Sequence, residues 1–392
     1  MKKRKVGGVM LSLSLSAGLL LAGCGGAEES GGSGGGKEIK IGANVELSGG
    51  VASYGQSASQ GLQLAVDEIN KEGIDGKKLK IVKVDNKSDA AEATNGALKL
   101  ATQDKVAAIV GAATSTNTLA QVQIATDNKI PLITPTGTNP DITNKDGKVN
   151  EYVFRTCFID PFQGTVAANY AKDEFQSKNA AVFIDSASDY SKGLAKAFTD
   201  SYTKAGGKIV AKEAYVAKDT DFRATLTRIK SAKPDFIFLP GYYEEVGLIV
   251  KQAREAGIDV PIMGGDGWDS PKLVEIAGNE ALNNTFITNH YSAADPDEKI
   301  QEFVKAYKAK YKDTPDGFAA LGYDTGYMLA DAIKRAGDAS PEKIKEALAK
   351  TKDLALVSGN VTLNENHDPI KSASILKYEN GEQKFATKVD PE

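Results

Sequence analysis

Histidine and cysteine are scarce in this sequence. Its 392 residues include two histidines, His290 and His367, and two cysteines, Cys24 and Cys157. A His-rich metal site or a Ser–His–Asp triad would have to use one of these widely separated histidines. Two cysteines are too few for a zinc cluster or a disulfide framework. We therefore expect no metal site and no other cofactor.

Common catalytic loops are also missing. No Walker-type Gly-Lys-Thr loop is present, and no Gly-x-Gly-x-x-Gly motif opens a helix. Tyr190-Ser191-Lys192-Gly193 lacks the first glycine of a nucleophile elbow. An amidase or hydrolase would need a base beside its nucleophile, and His367 lies in a turn-like His-Asp-Pro stretch. We expect a protein that is not an enzyme.

The chain opens with a secretory-type leader. Basic residues occupy positions 2–5, and an apolar run follows from 6 to 22. Glycines and serines interrupt this run, which makes it a poor permanent membrane span. It ends in Leu21-Ala22-Gly23-Cys24, which resembles the processing motif of bacterial lipoproteins. The resemblance implies that residues 1–23 are removed and Cys24 is lipidated; the alternative is an ordinary signal peptide before a chance cysteine.

Residues 24–37 form the predicted anchor and tether. Positions 25–36 read GGAEESGGSGGG, a composition that behaves as a flexible linker. All four charges of the leader are basic, so the mature chain carries 44 basic and 52 acidic residues, a net charge near −8. Nucleic-acid binding would call for a basic face, and we expect none. The predicted location is the extracytoplasmic face of a bacterial cell membrane, with the lipid on Cys24 as anchor.

From residue 38 onward, short apolar runs alternate with helical periodicity. Strands are predicted at 40–45, 79–84, 106–110, 131–134, 181–185, 208–215, 235–239 and 261–264, with helices between them. Further helices are predicted at 297–311, 318–336 and 341–349, followed by a hairpin-like pair of strands at 359–363 and 374–379. The alternation predicts an α/β fold in which parallel sheets carry helices on both faces, with each half a doubly wound lobe.

Ligands of open α/β sheets bind beyond the carboxyl ends of the strands, so the turns there are candidate sites. In the first half, the turns 111–118 and 135–140 are rich in glycine and hydroxyl groups and contain Ser115, Thr136 and Thr138. A helix N-terminus with hydroxyls suits a carboxylate or phosphate. Plain N-capping is the alternative for either turn alone.

The corresponding turns of the second half offer a carboxylate and aromatic rings. Tyr242 follows one predicted strand, and Asp266 and Trp268 follow another. This combination suits a cation with an apolar appendage. Core filling by Trp268 and a turn role for Asp266 are the alternatives. Together the two halves predict a site for a zwitterion with an apolar side chain.

A set of short motifs points to one family. They are Ile41-Gly42-Ala43, Leu47-Ser48-Gly49, Tyr54-Gly55, Gly61, Ile130-Pro131-Leu132-Ile133-Thr134-Pro135, Tyr190-Ser191-Lys192-Gly193-Leu194-Ala195, Ala253-Arg254-Glu255-Ala256-Gly257 and Gly322-Tyr323-Asp324. In order and spacing, the chain from about residue 38 to 378 resembles the type I periplasmic binding proteins. Within that family it is most similar to the leucine/isoleucine/valine-binding proteins of branched-chain amino acid ABC transporters.

The resemblance implies a ligand site. Ser115 and Thr138 would bind the ligand α-carboxylate, while the Thr136 carbonyl and the Asp266 carboxylate would take the α-ammonium. The apolar side chain would be surrounded by Tyr54, Tyr190, Tyr242, Trp268 and Phe318. The family often has Glu where this chain has Asp266, and Trp268 adds aromatic surface, so the resemblance leaves the exact amino acid open. The family's frequent early disulfide is absent, and we expect Cys157 to be a small buried hydrophobe.

The resemblance also implies a hinged architecture. Three segments, near 157–160, 288–291 and 358–361, would join two Rossmann-like lobes. Lobe 1 would comprise 38–157 plus 290–358, and lobe 2 would comprise 158–289 plus 359–388. Ligand would bind lobe 1 first, and lobe 2 would then close over it.

The expected function follows from this architecture. The protein would be a monomeric extracytoplasmic lipoprotein that captures an amino acid, branched-chain by resemblance, and delivers it to the permease subunits of an ABC transporter. The alternative is a ligand-sensing binding protein for another small amino acid, an amide or an aromatic carboxylate.

Overall fold

The computed structural model describes residues 38–391. The predicted leader, anchor and linker, including Cys24, lie outside the described residues. Among the described helices, none combines the length and apolar character that a membrane span requires.

Strands and helices alternate through most of the described chain. The strands are β1 (Glu38–Val45), β2 (Lys78–Asp85), β3 (Ala108–Gly111), β4 (Leu132–Thr134), β5 (Asn144–Lys145), β6 (Lys148–Val149), β7 (Val153–Arg155), β8 (Asn179–Asp185), β9 (Lys208–Tyr215), β10 (Phe236–Phe238), β11 (Ile262–Gly264), β12 (Thr285–Asn289), β13 (Leu354–Leu356), β14 (Gly359–Leu363), β15 (Pro369–Ile370), β16 (Ala373–Glu379) and β17 (Glu382–Val389). The helices are α1 (Ala52–Glu72), α2 (Ala90–Lys99), α3 (Ser115–Asp127), α4 (Asp160–Asp173), α5 (Asp189–Lys204), α6 (Arg223–Ser231), α7 (Tyr243–Glu255), α8 (Pro271–Ala277), α9 (Glu298–Tyr311), α10 (Gly317–Ala336) and α11 (Pro341–Leu348). Short helical turns lie at Leu100–Asp104, Pro140–Ile142 and Asp266–Trp268.

Two large sheets organise these elements. The first has the order β2-β1-β3-β4-β7 and is parallel throughout. The second has the order β17-β16-β12-β11-β10-β8-β9, in which β16 and β17 are antiparallel additions to a parallel core. We call the first sheet with α1–α3 and α9–α11 the first lobe, and the second sheet with α4–α8 the second lobe. The predicted α/β fold class of two doubly wound lobes is confirmed.

Apolar packing joins distant parts of the sequence in the first lobe. Leu62 and Val66 of α1 and Leu329 of α10 share one buried cluster with Ile41 of β1. The two helices touch where glycine removes a side chain: a Cβ on Gly61 would lie 1.9 Å from the Ala319 carbonyl oxygen. Helices from the C-terminal third therefore complete a lobe whose strands come from the N-terminal third.

The third segment that crosses between the lobes lies later in the sequence than we expected. We expected it at 358–361, with residues from 359 onward in the second lobe. Instead β14 pairs with β13 and β15, and its Val361 and Leu363 pack in the first lobe's core. The chain enters the second sheet only at β16, which pairs with β12 and β17 rather than with β14. The predicted pairing of 359–363 with 374–379 was therefore wrong, because the apolar residues of the two strands belong to different cores.

Candidate functional site

The two hydroxyl-rich turns of the first lobe lie side by side. The strands β3 and β4 are parallel neighbours, so the turns that follow them meet at the same edge of the sheet. The Asn139 N–H donates to Ser115 Oγ over 3.2 Å, and Thr136 Oγ1 donates to the Ala113 carbonyl over 2.6 Å. Ser115 is the first residue of α3. The sequence-predicted Ser115, Thr136 and Thr138 are thus brought together at one helix N-terminus.

Glu46 fixes this arrangement, and the sequence reasoning missed it. Its buried carboxylate accepts from the N–H groups of Ala113 (2.9 Å) and Thr114 (3.1 Å), from Thr114 Oγ1 (2.7 Å) and from Asn117 Nδ2 (2.9 Å). These bonds hold the turn ahead of α3, while the N–H groups of the first helical turn have no partner within the helix. An acidic residue directly after β1 was the available signal.

The Thr138 side chain is fully buried in this turn. Its hydroxyl lies beside the Asp160 carboxyl group and opposes the rise to about 8 that burial causes in the pKa of Asp160. Within residues 38–391, no contact of Thr138 Oγ1 has the geometry of a full hydrogen bond. The hydroxyl therefore keeps capacity for a ligand oxygen or ammonium hydrogen.

The Asp266 carboxylate belongs to a buried polar network in the second lobe. Its Oδ1 accepts from the Tyr190 hydroxyl (2.9 Å), and its Oδ2 lies 3.1 Å from His290 Nε2. Gln163 Oε1 accepts from the Asp266 N–H (2.9 Å). This contact with a carboxyl oxygen favours the His290 tautomer that carries its proton on Nε2. Burial lowers the pKa of His290 to about 4 despite the opposing effect of Asp266, so His290 is neutral at pH 7.

His290 also has a packing role. Its ring stacks on Phe158 with centroids 3.7 Å apart. The sequence placed this histidine at the hinge, and the structure adds that it orients the predicted ammonium partner. Within residues 38–391, no group of three His, Cys, Asp or Glu side chains is arranged to hold a metal ion.

Four of the predicted aromatic residues form one continuous wall. Tyr54 of α1 stacks on Phe318 of α10 with centroids 4.1 Å apart, and Tyr190 of α5 stacks on Tyr242 with centroids 5.2 Å apart. An edge-to-face contact of Tyr54 with Tyr242, at 5.6 Å, joins the two pairs across the lobes. Burial raises the pKa of Tyr54, Tyr190 and Tyr242 well above the ordinary value, so all three are neutral phenols.

Trp268, the fifth predicted aromatic, fills the core of the second lobe. It is fully buried, and its Nε1 donates to the Leu239 carbonyl over 2.9 Å. A Cβ on Gly264 would lie 2.0 Å from Trp268 Nε1, so the indole packs tightly against the end of β11. Core filling, the alternative role considered for Trp268, therefore accounts for most of the contacts of this side chain.

Contacts between the lobes enclose these residues. The Tyr54 hydroxyl donates to the Gly267 carbonyl and accepts from the Tyr243 N–H at 3.1 Å. Asn139 Nδ2 donates to the Asp189 carbonyl over 3.0 Å, which ties the Thr138 turn to α5. Tyr54, Ser115, Thr136, Thr138, Tyr190, Asp266, Trp268 and Phe318 are all buried, with Tyr242 half-buried. Hydrogen bonds between the two lobes therefore surround the predicted site residues.

Cys157 lies on the first crossing segment. Its thiol is fully buried and donates to the Gly137 carbonyl at 3.3 Å. Burial raises the pKa of the thiol to about 12, so it is not a reactive thiolate at neutral pH.

Known proteins provide a comparison for this geometry. The family model described as periplasmic binding protein matches residues 38–383. The Leu/Ile/Val-binding protein BraC3 of Rhizobium johnstonii is 35% identical over 348 residues, which cover 88% of this chain and 92% of that protein.

Two solved structures extend the comparison. The branched-chain amino acid transporter substrate binding protein LivJ of Streptococcus pneumoniae, in complex with isoleucine, is 44% identical with a TM-score of 0.85, covering 90% of this chain and 100% of that chain. An ABC transporter solute binding protein of R. palustris, in complex with benzoate, is 26% identical with a TM-score of 0.82. The match covers 90% of this chain and 97% of that chain.

Proposed function

Since this chain belongs to the periplasmic binding protein family, we propose that it captures a branched-chain amino acid between its two lobes and delivers it to the permease of an ABC transporter. One observation carries the proposal. A buried Thr138 hydroxyl lies beside the N-terminus of α3, in a cleft that also contains the Asp266 carboxylate and an aromatic wall. Anion-binding groups, a carboxylate and apolar rings are the complement of an amino acid with an apolar side chain.

Individual contacts follow from this arrangement. Ser115, Thr138 and the N–H groups of the first turn of α3 bind the α-carboxylate. The Thr136 carbonyl and Asp266 take the α-ammonium, and Asp266 is oriented for this by Tyr190 and His290. The apolar side chain lies against Tyr54, Tyr190, Tyr242 and Phe318, with Trp268 supporting the wall from within the second lobe.

The relatives support this ligand class more than its alternative. BraC3 is named for Leu, Ile and Val, and LivJ is described with isoleucine, at higher identity than the benzoate-binding protein. The alternative is a binding protein that senses another small amino acid, an amide or an aromatic carboxylate. Neutral tyrosine rings would also accept a planar ligand, so benzoate belongs in any test.

A thermal-shift screen tests the ligand class. The twenty amino acids, their amides and benzoate would each be added to the folded chain. Ligand at 100 times Kd stabilises the folded state by about 2.7 kcal/mol. We expect the largest shifts with leucine, isoleucine and valine. A shift with benzoate alone, or with none of the aliphatic amino acids, would contradict the proposed ligand class.

The lobes move relative to each other in this proposal. With the third crossing corrected, the hinge consists of the segments near 157–160 and 288–291 together with residues 371–372. Ligand binds the first lobe, and the contacts of Tyr54 and Asp189 form as the second lobe closes. Differential affinity for the closed state supplies the free energy of closure. We propose that the protein acts as a monomer, with the permease as its partner.

The leader supports a further proposal, a lipid anchor on Cys24 at the extracytoplasmic face of the membrane. Replacement Cys24→Ser should release the mature protein into the soluble extracytoplasmic fraction, because one sulfur carries the diacyl group. Cell fractionation and labelling with a radioactive fatty acid measure this. A C24S protein that still incorporates the labelled fatty acid would contradict the anchor, and Cys157→Ser, which should keep the label, is the matched control.

A further inference from the structure

The first turn of α10 carries two carboxyl groups, one from each lobe. Asp316 is the N-cap residue of this helix, and its Oδ1 accepts from the Ala319 N–H over 2.8 Å. Asp269 belongs to the second lobe, where it directly follows the helical turn Asp266–Trp268. Its Oδ2 accepts from the Gly317 N–H over 2.6 Å. The second lobe therefore provides part of the N-terminal cap of a first-lobe helix.

The other contacts of these two carboxyl groups stay within their own lobes. Asp269 is buried, and it accepts from Asn289 Nδ2 over 2.8 Å and from Gln383 Nε2 over 2.7 Å. Both donors belong to strands of the second sheet, β12 and β17. Asp316 accepts from the hydroxyl of Ser57, on α1 of the first lobe, over 2.7 Å. Each carboxyl group is thus fixed to one lobe, and the bond from the α10 backbone to Asp269 joins them.

A second contact between the lobes lies beside this one. Ser270, the N-cap residue of α8, places its Oγ 2.8 Å from Ser53 Oγ of α1. The next residue along α1 is Tyr54, which stacks on Phe318 in the first turn of α10. The contacts made by residues 269 and 270 therefore border the aromatic wall of the proposed ligand site.

Two ionised carboxylates at one buried helix end are unfavourable, because like charges close together disfavour each other's ionised form. Among residues 38–391, no lysine, arginine or histidine forms an ion pair with Asp269 or Asp316. The nearby ionisable groups are Asp266, Tyr291, Tyr307 and Tyr378. Burial raises the pKa of these three tyrosines, so they are neutral.

The protonation of the pair follows from this environment. Desolvation raises the pKa of Asp316 to about 7, and the negative charge of Asp269 adds to the rise. Burial likewise raises the pKa of Asp269. Near neutral pH the pair therefore holds more protons than two aspartates that are separated and exposed to water.

We propose that closure of the lobes brings Asp269 onto the N-terminus of α10 and takes up a proton on the Asp269–Asp316 pair, so that ligand capture is linked to pH. This inference rests on the proposed function, since it needs lobes that move. With the lobes apart, each carboxyl group would face water and be ionised at neutral pH. On closure, a solvent proton binds Asp316, whose O–H can then donate to the Ser57 hydroxyl. Asp269 is thereby a positioning residue for capture and touches no ligand atom.

The experiment measures the protons taken up on binding. The ligand would be L-leucine, L-isoleucine or L-valine, whichever gives the largest thermal shift. Its binding enthalpy at pH 7 would be measured in phosphate and in Tris. The difference, divided by the difference between the two buffer ionisation enthalpies, gives the number of protons exchanged. The ammonium and carboxylate groups of the free ligand are already charged at pH 7, so any uptake reports on the protein.

Both carboxyl groups should contribute to the uptake. Asp316→Asn should reduce it by about half a proton, because a group with a pKa of about 7 is half protonated at pH 7. Asparagine is also a good N-cap residue, so α10 keeps its start. Asp269→Asn should reduce the uptake as well, since the charge that disfavours ionised Asp316 is gone. Asp160 and His290 lie at the same junction of the lobes, so the differences between variants, and not the total, carry the test.

Ligand affinity should follow the same linkage. The closed state binds more protons than the open state, so Kd should fall as pH falls. A pKa that rises from the ordinary aspartate value to about 7 on closure makes binding about tenfold tighter at pH 6 than at pH 8. This tenfold factor should be missing from the pH dependence of Asp316→Asn.

Asp235→Asn is the matched control. Asp235 is half-buried, like Asp316, but it accepts from Ser177 Oγ (2.6 Å) and from the Lys178 N–H (2.9 Å), both in its own lobe. It should keep the wild-type proton uptake and the wild-type pH dependence of Kd. Thermal unfolding of each ligand-free variant separates loss of folding from loss of binding.

The outcomes distinguish this inference from the function on which it rests. Wild-type proton uptake in both Asp269→Asn and Asp316→Asn, or an equal loss of uptake in Asp235→Asn, would overturn the inference and leave the proposed function standing. A wild-type chain that binds none of the three amino acids would overturn both.

Discussion

At the scale of single residues, Tyr54 combines two functions in one side chain. Its ring stacks on Phe318 within the first lobe, and its hydroxyl contacts Gly267 and Tyr243 of the second. In the proposed opening of the lobes, the ring would stay with the first lobe, whereas the hydroxyl contacts to the second lobe would break. Tyr54 can therefore report on closure separately from contact with the ligand.

Replacement Tyr54→Phe should weaken ligand binding by roughly tenfold, mainly through faster dissociation. The variant keeps the ring but leaves a buried carbonyl and a buried N–H unpaired in the closed state, at a cost of about 1–3 kcal/mol. Stopped-flow dissociation rates and calorimetric Kd values measure this. Tyr202→Phe, whose lost hydroxyl contacts Ser177 outside the cleft, is the control. Equal dissociation rates for Y54F and wild type would contradict the closure role.

The candidate site illustrates what residue patterns reveal. Ser115, Thr138 and Asp266 were predicted because they follow strands, and the carboxyl ends of parallel strands meet at one edge. Glu46 was missed, although it lies directly after β1. Its importance comes from burial and from the groups that it accepts from, neither of which can be read from neighbouring letters.

At the scale of elements, the crossing of α1 and α10 sets the position of the aromatic wall. A Cβ on Gly61 would lie 1.9 Å from the Ala319 carbonyl oxygen, and a Cβ on Gly322 would lie 2.1 Å from the Ala58 carbonyl oxygen. Tyr54 and Phe318 stand in the first turns of the same two helices. The close approach of the backbones thus brings the two rings into stacking distance.

Replacement Gly61→Ala should lower the free energy of unfolding by about 1–3 kcal/mol or more, because the added methyl collides with backbone. Helix propensity alone would give the opposite sign, since alanine is favoured over glycine in a helix by about 1 kcal/mol. Urea denaturation measures the difference. Gln63→Ala, at a half-buried position of the same helix, is the control. A G61A protein as stable as wild type would rule out the tight crossing.

Several elements escaped prediction for physical reasons. The helix α4 has almost no apolar periodicity, since alanine and glycine occupy much of it, and β12 and α8 are short. The strand pair 359–363 and 374–379 was predicted in the correct places but joined wrongly. Strand pairing depends on which core each apolar face reaches, and that depends on the whole chain.

At the scale of the whole molecule, the buried ionisable groups make stability depend on pH. Burial raises the pKa of Asp160 to about 8 and that of Asp316 to about 7, with the negative charge of Asp269 adding to the second. In the folded state these carboxyl groups hold protons that the unfolded chain releases. The free energy of unfolding therefore falls as pH rises towards 8. Burial lowers the pKa of His290 to about 4 and that of Lys371 to about 8. His290 therefore makes stability rise with pH only between about 4 and 6.5, and Lys371 only between about 8 and 10.5.

Between pH 6.5 and 8 the carboxyl groups therefore determine whether the free energy of unfolding rises or falls with pH. The ligand-free protein should lose about 1–2 kcal/mol of stability through Asp160 over this window. Asp160→Asn should lose less, because the amide does not titrate. Denaturant unfolding at the two pH values measures this, with Asp235→Asn as a control on an aspartate that lies outside the cleft. Identical pH slopes for wild type and D160N would contradict the burial of a protonated Asp160.

Membership of the family also explains the expected lack of catalytic activity and the scarcity of histidine. The matched proteins are named as binding proteins, so the prediction that this chain is not an enzyme is confirmed. The scarcity of histidine is compatible with a cleft built from hydroxyls, carboxylates and rings. One of the two histidines still matters there, because His290 holds Asp266 as a neutral donor.

The sequence by itself determined the α/β alternation, the leader and linker pattern, the hydroxyl-rich and acidic turns, and the family. These are local or periodic features, which a chain carries wherever it folds. The tertiary structure alone decided which strands share a sheet, where the chain crosses last between lobes, and which carboxylates are buried. Those properties depend on contacts between residues about 260 positions apart in sequence, such as Ser57 with Asp316 and Tyr54 with Phe318. Burial and pairing are outcomes of such contacts, and they determine the protonation and orientation of the carboxyl groups at the proposed site.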